Sequence, residues 1–194
     1  MAILTGINKV KTAVFISGNG SNLKSLIKFS RSNKSPISIK LIISSHSKAK
    51  GLSYGKIFKI KKRVINFKNT KIFDDKLISI LRKNQIEMIC LAGFMKILSK
   101  YFIKKFNGKI INIHPSLLPK YKGLNTHQRV IDNNEKFSGC TVHFVNSKLD
   151  SGKIILQKKV KVFKNDSSKL LAKRVLKKEH VLYPEAIMKV FSNL

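Results

Sequence analysis

Asn112 and His114 stand two residues apart in KIINIH, a β-branched apolar run that Pro115 ends. Alternation along a strand puts both side chains on one face. An asparagine amide can donate a hydrogen bond to a developing oxyanion, and a histidine can move a proton near neutral pH. A strand histidine can equally be a satisfied core residue. Asp150 lies far along the chain in LDSGK. Beside an imidazole it favours the imidazolium and raises its pKa. Spacing alone does not bring the two together, and Asp-Ser-Gly is also ordinary turn chemistry. The sequence carries no nucleophile elbow, no paired carboxylates and no Ser-His-Asp order. Asn112, His114 and Asp150 therefore suit direct acyl transfer between two bound substrates, through a tetrahedral intermediate.

A second candidate is Ser17-Gly18-Asn19-Gly20-Ser21-Asn22, a glycine-rich link from strand to helix. Exposed amides at a helix N-terminus suit a phosphate, and Ser21 and Asn22 can cap the helix or donate to an anion. Leu23 stands where a dinucleotide fingerprint has its third glycine, and no Gly-Lys-Ser/Thr follows. One phosphate is expected there, with a plain capped turn as the alternative. The remaining histidines make weaker claims. His46 ends a strand, His127 opens a helix capped by Thr126, His180 is mid-helix, and alternation leaves the face of His143 undecided. No zincin spacing or Cys–His cluster occurs, so no metal is expected.

The elements that must position these residues alternate for two-thirds of the chain. Strand patterns cover 12–17, 37–44, 64–67, 88–93 and 109–114. Helical patterns include Leu23, Leu26 and Ile27, then 48–59, 74–83 and 99–106. That rhythm predicts a mostly parallel sheet with helices on both faces. Later, 137–145 and 153–163 read as an antiparallel extension, and 167–193 as one long helix bent at Pro184. The fold class is α/β, a Rossmann-like three-layer sandwich. Ligands in such sheets bind outside the carboxyl ends of the strands. The SGNGSN turn, HPSLLP and the loop around LDSG all fall there.

With 43% hydrophobic residues in 194, the chain is expected to be globular. No apolar run reaches the roughly 20 residues that span a bilayer, and MAILTGINKVK is too short and weakly apolar for a secretory signal to be expected. Cys90 and Cys140 make no disulfide framework. The expectation is a cytoplasmic protein. Lys and Arg number 40 against 9 acids, a net +31. Such a field attracts polyanions, yet Lys, Ile and Asn abundance also fits AT-rich codon usage. The cations are spread over every expected surface and form no aromatic-interleaved stripe, so specific nucleic-acid binding is not expected.

SGNGSNL (17–23), LAGFMKILS (91–99), NIHPSLLPKYKG (112–123), TVHFV with LDSG (141–152) and KKEHVLYP (177–184) follow one another over nearly the whole chain. Together they resemble the phosphoribosylglycinamide formyltransferase family. The resemblance implies transfer of a formyl group from the co-substrate 10-formyltetrahydrofolate to the amine of glycinamide ribonucleotide in purine biosynthesis. It implies that Asn112 holds the formyl oxygen and that His114 donates a proton and stabilises the oxyanion. It gives Asp150 the part of raising the His114 pKa and carrying a proton from the attacking amine through water. Gly20, Ser21 and Asn22 match the ribonucleotide phosphate loop. Leu176, Lys177, Lys178 and Glu179 match the helix on the glycinamide side. Met95, Lys96, Ile97 and Leu98 match the folate side, as do Asn112, Asn146, Ser147, Lys148, Leu149 and Asp150, largely through backbone groups. Thr70 stands where the folate stretch has an arginine, with Lys71 adjacent as the substitute cation. Lys96, Asn125 and Ser147 stand where arginine, histidine and an acid are usual.

Methionyl-tRNA formyltransferase and formyltetrahydrofolate deformylase resemble the same core. They add an RNA-binding and a regulatory domain, for which no residues are expected here. The expectation is one formyltransferase domain over 1–194, without a family tail strand. A mononucleotide-binding-like half runs to about 114, and the catalytic loop, late strands and terminal helix follow from about 115. It is expected to act on small molecules, away from membranes, as a monomer or weak homodimer.

Overall fold

The structure is a computed structural model and describes residues 9–68 and 70–192. Its seven strands are β1 (Val10–Ile16), β2 (Ile37–Ser44), β3 (Lys61–Val64), β4 (Met88–Leu91), β5 (Lys109–His114), β6 (Phe137–Phe144) and β7 (Ile154–Lys161). They form one sheet in the order β3-β2-β1-β4-β5-β6-β7. Pairings from β3 to β5 are parallel, and those of β5 with β6 and β6 with β7 are antiparallel. The helices are α1 (Ser21–Ser30), α2 (Ser53–Ile57), α3 (Lys71–Lys83), α4 (Lys100–Lys105), α5 (Thr126–Asp132) and α6 (Ser168–Ser192).

Strand β1 is apolar without alternation because both of its faces are buried. Val14 and Ile16 join one core with Leu23, Leu26 and Ile27 of α1 and Leu182, Ala186 and Ile187 of α6. Ala13 and Phe15 join the other with Leu77, Ile78 and Leu81 of α3 and Phe102 of α4. The result is a Rossmann-like sandwich of three layers. From β1 the chain winds outward to β2 and β3, then returns to β4 on the other side of β1. The direction of winding therefore reverses between β1 and β4, and a crevice opens there at the strands' carboxyl ends.

Local differences from the sequence expectation have simple causes. The strand expected over 64–67 lies earlier, as β3, with all four residues exposed. It is an edge strand whose lysines and arginine face water, while Ile65 and Phe67 pack against the second core just past its end. The helix expected over 48–59 is a short 3-10 turn, Lys50–Leu52, leading into α2. Helix α3 begins before position 74, because Thr70 caps it by accepting from the Phe73 N–H at 3.3 Å. Asn125, in the left-handed region at φ 55, is the cap of α5 in place of Thr126. Pro184 sits inside α6 without ending it.

Candidate functional site

Antiparallel register sets Asn112 of β5 opposite His143 of β6, and His114 opposite Thr141. Asn112 Nδ2 lies 3.2 Å from His143 Nε2. Nδ1 of His143 donates to the Phe144 carbonyl at 2.8 Å, so Nε2 is free to accept from Asn112. His114 Nε2 donates to the Tyr121 carbonyl at 2.9 Å. Its other nitrogen, Nδ1, faces Asp150 Oδ2 at 3.4 Å. The same Asp150 oxygen accepts the Gly123 N–H at 2.9 Å, and Oδ1 lies 3.7 Å from His143 Nε2. Asp150 thus stands between two imidazoles, its side chain only 8% exposed. It reaches them because the turn after β6 closes tightly: a Cβ at Gly152 would lie 1.7 Å from the Phe144 oxygen. The sequence placed Asn112, His114 and Asp150 at one end of the sheet, and the structure brings them together. It also brings in His143, which sequence reasoning missed. Strand β6 is buried on both faces, so no alternation marks the face that His143 takes.

The electrostatics of this group oppose one another. Burial pushes the His114 pKa down, and the Tyr121 carbonyl and the Asp150 carboxylate push it up. The net direction is down, so the upward pull expected of Asp150 is present but outweighed. For Asp150 itself, burial acts upward, yet His143, the Gly123 N–H and His114 hold the carboxyl below its usual range.

On the other side of the crevice, Gly20 takes φ 72 and is the N-cap of α1. A Cβ there would lie 2.7 Å from Gly51 Cα, so only glycine fits. Ser21 and Asn22 do not cap the helix; they are its first residues. Asn22 turns inward and donates to Glu179 Oε2 at 2.7 Å, and its Oδ1 is buried without a partner. One contact beside them follows from Pro184. Proline has no N–H, so the His180 carbonyl one turn earlier lacks its helical donor. Ser25 of α1 supplies it, donating to that carbonyl at 2.8 Å. This bond ties α1 to α6 next to the Asn22–Glu179 pair.

Glu179 is a buried carboxyl whose pKa is pushed up by burial and only partly offset by Asn22. The folded chain therefore keeps this proton to higher pH than the unfolded chain, where the value is 4.5. Its contribution is present in full below the unfolded value and is lost as pH rises through the folded one. Glu179→Gln keeps an oxygen for Asn22 and removes the charge. Thermal unfolding is expected to show the variant melting above wild type at about pH 8, with the gap closing toward about pH 4. A gap independent of pH would contradict this account.

The two sides are joined at Ser17. Its Oγ accepts the Met95 N–H at 2.8 Å and bonds Ser45 Oγ at 2.7 Å, and its N–H donates to the Gly93 carbonyl at 3.1 Å. Met95 and Ile97 are 67% and 79% exposed beside the crevice, and Lys96 is exposed too. The Leu98 side chain packs in the second core. Asn146 accepts the Lys148 N–H within its own loop, where Ser147, Lys148 and Leu149 are exposed. Thr70 is spent on capping α3, and the Lys71 ammonium lies over the Tyr101 ring at 5.6 Å. On α6, Leu176 is half-buried and Lys177 and Lys178 are exposed. Among the described residues no cluster of three or more His, Cys, Asp or Glu could hold a metal ion. No helix among them is long and apolar enough to cross a membrane. Surface cavities of about 400 and 530 Å³ lie elsewhere, one flanked by Asp75 and Tyr101 and the other by Lys11 and Lys40.

Residues 10–187 match the family model described as formyl transferase. The chain belongs to the formyl transferase family. The matched span contains every residue of the group around Asp150 and of the Asn22–Glu179 pair. The phosphoribosylglycinamide formyltransferase of Haemophilus influenzae is 44% identical over 180 residues, 91% of this chain and 85% of its own. A crystal structure of the phosphoribosylglycinamide formyltransferase of Brucella melitensis superposes with a TM-score of 0.88 at 40% identity, covering 94% of this chain and 96% of that one. The trifunctional purine biosynthetic protein adenosine-3 of Bos taurus is 44% identical over 188 residues, 95% of this chain. This chain spans only 19% of that longer relative.

Proposed function

We propose that this chain transfers a formyl group from 10-formyltetrahydrofolate to the amine of glycinamide ribonucleotide, a step of purine biosynthesis. The observation that carries the reading is the meeting of Asn112, His114 and Asp150 beside a crevice whose far wall is the Gly20–Asn22 turn. Membership of a family whose near relatives bear that enzyme's name supports it. The amine attacks the formyl carbon, a C–N bond forms, and the carbonyl electrons move onto oxygen. Asn112 has two amide hydrogens, and with one directed at His143 the other is available to the oxyanion. His114 gives a proton to the departing folate nitrogen as its C–N bond breaks. Asp150 takes the proton lost by the amine, through water. The amides at the start of α1 hold the phosphate. No covalent enzyme intermediate is needed, in keeping with the lack of a nucleophile in the group.

The same reading takes residues 1–194 as one formyltransferase domain, working in the cytoplasm on small molecules as a monomer or weak homodimer. The test is incubation of the purified protein with both substrates, followed by mass spectrometry of the ribonucleotide. The expected result is a formylated ribonucleotide formed in proportion to the folate consumed. Formate released at the same rate without ribonucleotide would instead mark a hydrolase and overturn the proposal.

A further inference from the structure

We propose that Thr141 is a positioning residue that fixes which nitrogen of His114 exchanges the proton. The inference rests on the formyl-transfer reading only for its kinetic arm. A carbonyl oxygen can only accept, so the bond to Tyr121 requires the hydrogen of His114 to be on Nε2. Nδ1 is then the atom that gains and loses a proton, and it is the atom facing Asp150. This arrangement lasts only while the Tyr121 carbonyl stays in place.

Tyr121 is not held there by its own backbone preference. It sits in the left-handed region at φ 57, which a bulky side chain adopts only when its surroundings impose it. The Tyr121 hydroxyl donates to Glu135 Oε1 at 2.9 Å, and on the backbone side Thr141 supplies a further constraint. Thr141 is fully buried on β6, directly opposite His114 of β5. Its hydroxyl donates to the Ser116 carbonyl at 2.6 Å. It accepts the Leu118 N–H at 3.1 Å and the Gln157 amide at 2.8 Å. One donor and two acceptor positions are all a hydroxyl has, so Thr141 is saturated. Gln157 Nε2 also donates to the Leu118 carbonyl at 2.8 Å. Ser116 Oγ continues the chain to the Lys120 carbonyl at 2.7 Å, the residue before Tyr121. A run of hydrogen bonds thus leads from β6 through residues 116, 118 and 120 to the acceptor of His114.

The other titratable or charged groups near His114 are Asp150 in the loop after β6, His143 on β6, and His127 and Arg129 on α5. Asp150 faces the other ring nitrogen, Nδ1, and Arg129 can only donate. Without the Tyr121 carbonyl, a neutral His114 gains more by placing its hydrogen on Nδ1, as a donor to Asp150. The two tautomers then compete, and the proton-exchanging nitrogen turns away from the carboxylate.

Nitrogen-15 NMR of the histidine rings in the ligand-free protein tests this, paired with kcat against pH. Wild type is expected to show neutral His114 with hydrogen on Nε2. Thr141→Val is expected to show a mixture of tautomers, a lower titration midpoint and a kcat reduced about tenfold, with both KM values within about threefold. Thr141→Ser keeps the hydroxyl and is expected to restore the wild-type pattern. Gln157 is largely exposed, so Gln157→Leu folds even if Thr141→Val does not, and it is expected to shift the same signals less. Unchanged His114 shifts in the folded variants overturn the proposal. The NMR arm needs no substrate, so a wild type without formyl transfer counts against the function and leaves the tautomer result standing.

Discussion

Replacing His114 with alanine is expected to lower the rate of formyl transfer by about 10²- to 10⁴-fold, the range that a positioned proton-transfer group contributes. His114 is the proton-transfer group of the cluster, because its Nδ1 faces the carboxylate while Nε2 is fixed by the Tyr121 carbonyl. The Asn112 amide does not titrate, Asp150 is held ionised, and His143 has partners in Phe144 and Asn112. The variant also loses stability. Removing the imidazole leaves the Tyr121 carbonyl without its donor, a cost of about 1–3 kcal/mol where no water replaces it. Circular dichroism must therefore show a folded protein at the assay temperature before the rates are compared. Both KM values should change little, because the phosphate and folate walls do not run through residue 114. Added imidazole should recover part of the rate by entering the vacated space. Turnover within about threefold of wild type in the folded variant would remove His114 from the mechanism.

Much of the fold was legible because its signals are local. An apolar run without alternation, as in β1, is what a strand covered on both faces must look like. The SGNGSN turn advertised a helix start through its glycines. Less of the site was legible, because its contacts cross the sheet. That His143 faces Asn112 depends on the antiparallel register of β5 with β6, which leaves no mark on the sequence of β6 alone. Asn22 offered a phosphate ligand by its type and position, yet its amide is turned onto Glu179 on a helix at the far end of the chain. Thr70 and Leu98 match folate-side positions, and their side chains also serve the fold. One caps α3 and the other packs in the core, roles set by where neighbouring elements happen to end. The downward net shift of His114 shows the same limit. Asp150 predicts an upward pull by its charge, but the depth of burial that opposes it belongs to the whole fold.

Asp150→Asn is expected to cost about 10²-fold or more in kcat while leaving the backbone in place. Asp150 has φ 44, and asparagine is among the few residues that tolerate that region, so the exchange adds no strain. Its side-chain oxygen can still accept the Gly123 N–H, which fixes the amide with its oxygen toward His114. What disappears is the charge. Since Asp150 acts to raise a His114 pKa that burial has already lowered below 6.5, its removal lowers that pKa further. The protonated fraction of His114 falls at neutral pH, and the decline of kcat with rising pH moves to lower pH. A proton taken from the amine also loses its acceptor, since an amide has no basic oxygen at these pH values. Stability follows with a definite sign. The folded Asp150 pKa lies below 3.8, so its contribution is present above that value and is lost as pH falls through the folded one. The melting temperature of wild type should exceed that of the variant near neutral pH and meet it in strong acid. An Asp150→Asn enzyme with the wild-type pH profile would show that the carboxylate acts on neither proton.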